Sequence, residues 1–570
     1  MRGVGTSPGI GIGKVFIYKK PKLEIVKREI ENPREEILKF NNALDIACME
    51  IDKLYNRTLT NIGEKEAQIF VAHKMMLRDP DFINNIKKEI KRKNVNAEYA
   101  VKRIGEDFIN TFKNMKDEYL KERAVDIYDI SKRVLKILLD INPTGLTSMN
   151  EKSIIIAEDL TPSDTAKMNK DMVVGIVTEL GGRTSHTSII AKSLEIPSIS
   201  GVEDITSMIF HGDNIIIDGS EGDIILNPTD SDNKLYRIKI KEQNEYKRKI
   251  SSMIREDTIS EDGYKVNLLG NIGSTSDLDK VLENGGEGIG LFRTEFVYMN
   301  KDRLPTEEEQ FNIYKEAAQK LGDKPMVIRT LDVGGDKEIP YLNLPKEMNP
   351  FLGYRAIRLC LDRLDIFKTQ LRAIYRAGYF GNIKIMFPMI SDIEELRDIK
   401  LIAKEVRDEL RRENINFNKN LEIGIMVEVP AVAIHSKVFA KEVDFFSIGT
   451  NDLIQYSLAV DRGNQSLEHL YTPYHPAILR LIKMIIDNGH KAGISVGMCG
   501  EVAGDPRLIS LLLAMELDEF SMNSASILKA RDLIKNTSIK KVKPMIDRIL
   551  DLPRAKDVEE FIEINILKQK

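Results

Sequence analysis

The chain has no tryptophan and only three cysteines, Cys48, Cys360 and Cys499, spread over 570 residues. Thiols that sparse give neither a disulfide framework nor the close spacing of a metal-ligand set. A reducing, cytoplasmic location is therefore expected. Long apolar runs are also missing. The most apolar late stretch, Leu508 to Leu517, is interrupted by Glu516 and is too short to span a bilayer. The opening MRGVGTSPGIGIGKVF lacks the apolar core of a signal peptide. No membrane insertion is expected. There is no excess of one charge either: 84 Lys plus Arg stand against 88 Asp plus Glu, a formal net charge of −4. That balance lacks the basic field of a nucleic-acid binder. What is present, 42% apolar and 30% charged residues, is the composition of a soluble globular protein, and the length calls for several domains.

The texture changes along the chain. A Gly-rich start leads into a β-like run, Lys14 to Tyr18. Residues 33–140 are rich in Lys and Glu and carry apolar residues at helical spacing, such as Ile46, Met49, Ile51 and Leu54, which predicts a set of amphipathic helices. Asn142-Pro143-Thr144-Gly145 breaks that pattern. From 150 to 227 short strands (Ser153–Ala157, Val173–Val177, Asn214–Asp218) alternate with helical sequence. A charged, Gly-free run at 230–255 reads as a solvated linking helix.

Eight short apolar runs follow, each succeeded by helical sequence. They are Val266–Ile272, Gly288–Phe292, Met326–Arg329, Ile383–Phe387, Glu422–Val427, Asp444–Ile448, Ile494–Met498 and Glu519–Met522. Eight strand–helix units in this span match a (β/α)8 barrel, with an open doubly wound sheet as the alternative. In a barrel, the chemistry sits at the C-terminal ends of the strands.

Two constellations carry chemistry. The first is Gly-Gly-Arg-Thr-Ser-His-Thr-Ser at 181–188, followed by the helical run from Ile189 to Leu194. Thr184 and Ser185 are N-cap types, so His186 falls in the first helical turn. A helix N-terminus favours neutral imidazole, a nucleophile, and offers free N–H groups to a phosphate carried on it. No second His or Cys lies near enough to suggest a metal set. A histidine that merely caps or packs a helix is the competing reading.

The second constellation gathers at the expected strand ends. Arg293 follows Gly-Ile-Gly-Leu-Phe, and Arg329 closes Met-Val-Ile with Asp332-Val-Gly-Gly-Asp-Lys337 after it. Glu428 closes Gly-Ile-Met-Val, Asn451 and Asp452 follow Phe-Phe-Ser-Ile-Gly-Thr, and Cys499 follows Val-Gly-Met. Arg462 lies on a loop, in Val-Asp-Arg-Gly-Asn. Arginines hold phosphate and carboxylate through forked hydrogen bonds. Glu428 and Asp452 can hold Mg²⁺ while a substrate supplies further oxygens. A thiol can protonate a carbon centre near neutral pH. A small phosphorylated acid that becomes an enolate calls for all three. Taken singly, each arginine also reads as a surface ion pair and Cys499 as core filling. The run Gly9-Ile-Gly-Ile-Gly-Lys14 only hints at a phosphate loop: no Ser or Thr follows Lys14, and it reads as a turn entering a strand.

These segments resemble Enzyme I of the bacterial sugar phosphotransferase system, the phosphoenolpyruvate–protein phosphotransferases. The resemblance is carried by GTSPGIGIGK at 5–14, LTPSDTA at 160–166, GGRTSHTSIIAKSLEIPSISG at 181–201 and GLFRTEFVYM at 290–299. It continues in RTLDVGGDK at 329–337, GYRAIR at 353–358, GIMVEVPA at 424–431, FFSIGTNDLIQYSLAVDRGN at 445–464 and MCGEVAGDP at 498–506. It implies a multidomain α/β protein: a swivelling phosphohistidine α/β domain (1–20 plus 145–228) with an inserted helical domain (25–144) that docks the carrier HPr. A linker helix (229–259) and a C-terminal (β/α)8 barrel (260–570) follow, the barrel binding phosphoenolpyruvate and forming the homodimer. By the same resemblance His186 is the phosphorylated residue, through Nε2, and Thr165 hydrogen-bonds its ring. Glu428 and Asp452 hold Mg²⁺, and Arg293, Arg329, Asn451, Asp452 and Arg462, with Arg355, bind the substrate. Cys499 protonates the enolate to give pyruvate. Three departures from the family pattern stand out: Tyr354 in place of Trp, Val429 in place of Thr, and Ala514 to Leu517 in place of a Gly-rich stretch, which bears on packing or on a loop above the pocket. Two rival readings remain: a barrel lyase acting on phosphoenolpyruvate alone, and a non-catalytic regulator that binds the substrate or HPr.

Overall fold

The computed structural model describes residues 1–18, 23, 25–61, 64–113, 118–140, 146, 149, 151–166, 168–182, 185–299, 301–335, 337 and 339–567; the side chains of residues 60, 61, 64–66, 118–122, 186, 193, 465 and 468 fall outside that description. Two compact units divide the chain, Met1–Asn244 and Glu245–Lys570.

The first unit combines a sheet with a helical insertion. Its strands are β1 (Val4–Ser7), β2 (Ile10–Tyr18), β3 (Ser153–Ala157), β4 (Val173–Thr178), β5 (Ser198–Ser200), β6 (Asn214–Asp218) and β7 (Asp223–Leu226). They are ordered β1-β5-β4-β3-β2-β6-β7. The centre, β2 through β5, is parallel, and β1, β6 and β7 join antiparallel at the edges. The central strands are near-continuous Ile and Val because both faces are covered, as in Ser153–Ala157 where every residue is buried. The Gly-rich opening run belongs to β2. A side chain at Gly11 would put Cβ 2.4 Å from the carbonyl oxygen of Val174, so glycine there reflects close backbone approach and not a phosphate loop.

Between β2 and β3 the described residues form five helices, α1 (Pro33–Asn61), α2 (Glu64–Leu77), α3 (Pro80–Lys93), α4 (Ala97–Lys113) and α5 (Glu118–Leu138). The buried face of α1 runs through Phe40, Ala43, Leu44, Ala47, Ile51 and Leu54. Ile46 and Met49, expected on the packed side, are 42% and 56% exposed. Small residues at 43 and 47 let neighbouring helices approach, so the stripe turns toward them and away from the larger pair. Shorter helices α6 (Pro162–Thr165), α7 (His186–Ser193) and α8 (Ile205–Met208) flank the sheet, and α9 (Asp230–Ser252) follows β7.

The second unit is a closed, all-parallel barrel: β8 (Asn267–Ile272), β9 (Ile289–Arg293), β10 (Met326–Arg329), β11 (Ile383–Phe387), β12 (Glu422–Val427), β13 (Phe445–Gly449), β14 (Ser495–Cys499) and β15 (Glu519–Met522). The eight expected runs are these strands, shifted by at most one residue at an end. Inside, Leu291, Val327, Met386, Met426, Phe445 and Cys499 pack together; outside, a larger apolar layer joins strands to helices. Arg531, fully buried on the helix Ser524–Lys535, donates to the carbonyls of Met253 (2.9 Å) and Gly285 (2.6 Å), to Thr258 Oγ1 (3.0 Å) and to Glu287 Oε1 (3.1 Å). The Ala514–Leu517 departure ends the helix that precedes β15. Ala514, Met515 and Leu517 are fully buried, so it is a packing feature at the end of the barrel opposite the mouth. No helix among the described residues is long and apolar enough to cross a membrane.

Candidate active site

The C-terminal strand ends bring the second constellation together. Arg293 is the last residue of β9 and pairs in register with Arg329, the last of β10; Gly449 of β13 pairs with Cys499, the last of β14. Glu428 follows β12 directly, and Asn451 and Asp452 open the helix Thr450–Leu458 after β13.

A buried lattice of charges organises the mouth. Arg329 Nη2 donates to Glu295 Oε1 at 2.8 Å and lies 2.9 Å from Asp332 Oδ2. Lys337 Nζ reaches Glu295 Oε1 at 2.6 Å and Asp332 Oδ2 at 3.3 Å. Arg355 Nη2 donates to Asp332 Oδ1 at 2.8 Å and lies 3.5 Å from Asp452 Oδ2, while its Nη1 donates to Tyr456 at 3.1 Å. Burial opposes charge on Asp332, but Arg329, Lys337 and Arg355 outweigh it and hold the carboxyl well below its ordinary range. Buried charges persist only when paired in this way. Glu295, Asp332 and Lys337 therefore belong to the site, although no role was read for them in the sequence. For Glu295 the available signal was its place two residues after the strand that ends at Arg293, opening the next helix.

Glu428 is the opposite case. Burial first, then the charges of Asp452 and Asp332, push its carboxyl up to about 8 against the pull of Arg329 and Arg355. Its Oε1 accepts from the backbone N–H of Met389 at 2.6 Å. Met389 holds φ at 60°, a left-handed conformation that a non-glycine residue adopts at a cost and that recurs at functional sites. Gly449 is required beside it, since a Cβ there would sit 2.7 Å from Glu428 Oε2. Asp452 Oδ1 has no partner among the described residues. A buried carboxylate oxygen without a donor, next to a carboxyl that resists ionisation, is an environment that a divalent cation satisfies, so Glu428 and Asp452 fit Mg²⁺. Among the described residues no cluster of three or more His, Cys, Asp or Glu could hold a metal ion. Two carboxylates with remaining positions left to substrate and water suit magnesium.

Cys499 faces the barrel interior, 3% exposed. Burial pushes its thiol up to about 11, against the Ser447 hydroxyl that donates to Sγ at 3.3 Å and the nearby charge of Arg329. It stays protonated at neutral pH. Asn451 Oδ1 would lie 3.4 Å from a Cβ at Gly500, which places this amide beside the thiol's neighbour. The guanidinium groups of Arg355 and Arg462 lie 5.9 and 6.0 Å from the ring centre of Phe351, so the loop arginine also reaches the mouth. Arg293 stands 5.5 Å from the ring of Phe296. Val429 lines an adjoining cavity of about 540 Å³ together with Met389 and Tyr456. Tyr354 donates to Asp362 at 2.5 Å, away from the charge lattice.

Of eleven buried side-chain polar atoms without a partner among the described residues, seven lie at this mouth. They are the Nε atoms of Arg293, Arg329 and Arg355, the carboxylate oxygens Glu295 Oε2 and Asp452 Oδ1, and the hydroxyls of Thr330 and Thr450. Such atoms are rare elsewhere in folded proteins, and their concentration marks a place built to bind.

The first unit carries the other constellation. Ser185 caps α7, its Oγ accepting from the N–H of Ser188, and His186 is the first helical residue. The His186 side chain lies outside the described residues, as do Arg183 and Thr184. Ser188 Oγ donates to the Gly182 carbonyl at 2.8 Å and Thr187 Oγ1 to the Leu160 carbonyl at 3.1 Å, which ties the helix start to the segment leading into α6. Thr165, buried at the end of α6, donates to the carbonyl of Pro162 at 2.9 Å.

Family models match along the chain. Residues 247–539 match the model described as PEP-utilising enzyme, PEP-binding domain; residues 149–222 match the mobile domain and residues 2–123 the N-terminal region of such enzymes. A phosphoenolpyruvate-protein phosphotransferase of Priestia megaterium is 48% identical over 563 residues, covering 99% of this chain and 98% of that one. The chain belongs to the phosphoenolpyruvate-protein phosphotransferase family. Proteins of the same name from Bacillus subtilis, 46% identical over 99% of both chains, and from Staphylococcus aureus, 47% identical over 99% of this chain and 98% of that one, are further relatives. The barrel mouth lies within the matched PEP-binding segment, and α7 within the matched mobile segment.

Proposed function

We propose that this chain is Enzyme I of a sugar phosphotransferase system: it takes the phosphoryl group of phosphoenolpyruvate onto His186, releases pyruvate, and passes the group to a histidine of the carrier HPr. The observation that carries the reading is the concentration of unpartnered buried donors and acceptors at the barrel mouth, beside a thiol that holds its proton.

In this mechanism Arg293, Arg329, Arg355, Arg462 and Asn451 bind the phosphate and carboxylate of phosphoenolpyruvate. Glu428 and Asp452 would hold Mg²⁺, which neutralises charge on the phosphoryl oxygens when bound. A ring nitrogen of His186, by family resemblance Nε2 with Thr165 orienting the ring, attacks phosphorus in line as the bond to the enol oxygen breaks. Transfer of this loose type needs positioning and charge stabilisation above all. The enolate then takes the Cys499 proton at its methylene carbon, giving pyruvate, and water restores the thiol. Nucleophile and pocket belong to separate units, so the α/β body (1–20 with 145–228) swings between the barrel (260–570) and the helical insertion (25–144), where HPr docks, about hinges near residues 145–150 and 230–260. The enzyme works in the cytoplasm as a homodimer formed through the barrel.

Incubating the protein with labelled phosphoenolpyruvate, Mg²⁺ and HPr tests this. Label should pass to HPr through an acid-labile, base-stable phosphoprotein, and His186→Ala should stop both steps. Pyruvate formation that survives this substitution would instead favour a lyase, and binding without any covalent label would favour a regulator.

A further inference from the structure

We propose a second anion site in the first unit, distinct from the barrel mouth: a basic cleft between α9 and the β2/β6 side of the sheet that takes a small anion bearing two or more phosphates. A cavity of about 880 Å³ opens there, inside the ~300–1,000 Å³ range of small-molecule sites. Its charged lining is Lys14, Lys152, Lys234, Arg237 and Lys241 against a single carboxylate, Asp230.

The arrangement is more than a solvated helix face. Asp230, Lys234, Arg237 and Lys241 recur at three- and four-residue steps, so α9 turns one stripe toward the cleft. Buried Tyr236, on the neighbouring face, anchors the helix. Lys239, which lies between Arg237 and Lys241 in sequence, is committed elsewhere: it stands 4.0 Å from Asp218 Oδ2 and 4.5 Å from the Tyr236 ring centre. Lys14 is partly neutralised by Glu151 at 3.0 Å. Lys152, Lys234 and Arg237 have no ion pair among the described residues. In a chain whose formal net charge is −4, uncompensated cations from two sides of one concavity are a local reversal of sign. A concave wall of one sign focuses the field and concentrates counter-ions. Lys and Arg together are the usual phosphate-binding pair. Ile12 and Ile238 line the same cleft, the latter 47% exposed, and give it an apolar floor that phosphates alone do not use. The shared chemistry is polyphosphate; an inorganic chain or a nucleoside triphosphate could supply it.

The test is calorimetric titration of the full-length protein, at physiological salt and with chelator present, with tripolyphosphate in one arm and ATP in the other. One saturable site is expected, weakened at least tenfold in Lys234→Glu/Arg237→Glu and also in Lys152→Glu, which changes the opposite wall. Equal affinity in both arms assigns recognition to the phosphates; tighter ATP binding assigns a share to the isoleucine floor. Phosphorylation from phosphoenolpyruvate should be unchanged in both variants, which checks their folding; should the double variant fail that check, Lys152→Glu decides. Absence of saturation, or affinity unaltered by the substitutions, would overturn the proposal.

Discussion

A proton donor must still hold its proton when the enolate forms, and the barrel makes that demand measurable at Cys499. Burial raises the thiol to about 11. At pH 7.5 that leaves about three thousand thiols for each thiolate, compared with about thirty for a thiol at its ordinary value near 9. The raised value also fixes a sign. The folded state favours the protonated form, so its contribution to stability is complete below the unfolded value, near 9, and is lost as pH rises through about 11. The gap between those two values corresponds to roughly 3 kcal/mol. The assay is alkylation by iodoacetamide between pH 7 and 10, quantified on the Cys499 peptide by mass spectrometry. Shielding of Sγ slows the reaction at every pH and leaves the slope untouched. The rate should rise about tenfold per pH unit, following the thiolate, without levelling off in that range. A plateau below pH 9 would mean an acidic thiol, already ionised at working pH, and would refute the donor role.

Three further outcomes follow from the same geometry. Glu428→Gln should abolish phosphorylation yet stabilise the metal-free protein: a carboxyl raised to about 8 loses stability as pH climbs through that value, a penalty on the order of a few kcal/mol, so melting of the variant above wild type at pH 9 is the check and melting below it the contradiction. Gly449→Ala should fold normally by circular dichroism but phosphorylate more than tenfold more slowly, because the added methyl meets Glu428 Oε2 at 2.7 Å and must displace it. Arg531→Ala should cost about 3–5 kcal/mol in urea unfolding, the usual consequence of stripping one partner from a buried charged network, here removing the cation paired with Glu287 and the side-chain donor to the Gly285 carbonyl; a loss under ~1 kcal/mol would show that other groups satisfy them.

The barrel was legible because its strands are short, mostly buried and largely apolar runs bounded by helical sequence, a signal that survives without knowledge of neighbours. Position along those runs then placed Arg293, Arg329, Glu428, Asp452 and Cys499 at one end of the barrel. The short strands β1, β5 and β7 were not readable, since three or four residues give no period and their pairing depends on partners far along the chain. The buried side of α1 was misjudged at Ile46 and Met49, where packing against neighbouring helices, not hydrophobicity, selects the stripe. Glu295 escaped notice for a related reason: its importance lies in sharing one oxygen between Arg329 and Lys337, residues 34 and 42 positions away. Both carboxyls are buried, and the opposite titration behaviour of Glu428 and Asp332 comes from the charges that the fold sets beside each, which are invisible in sequence.

The central claim is that residue 186 carries the phosphoryl group drawn from phosphoenolpyruvate. Rapid quenching into base after exposure to phosphoenolpyruvate and Mg²⁺, followed by peptide mapping under basic conditions, tests it most directly. A single phosphoryl group on the peptide containing His186, absent in His186→Ala, is the predicted result; an unmodified chain, or the group on any other residue, would contradict the account.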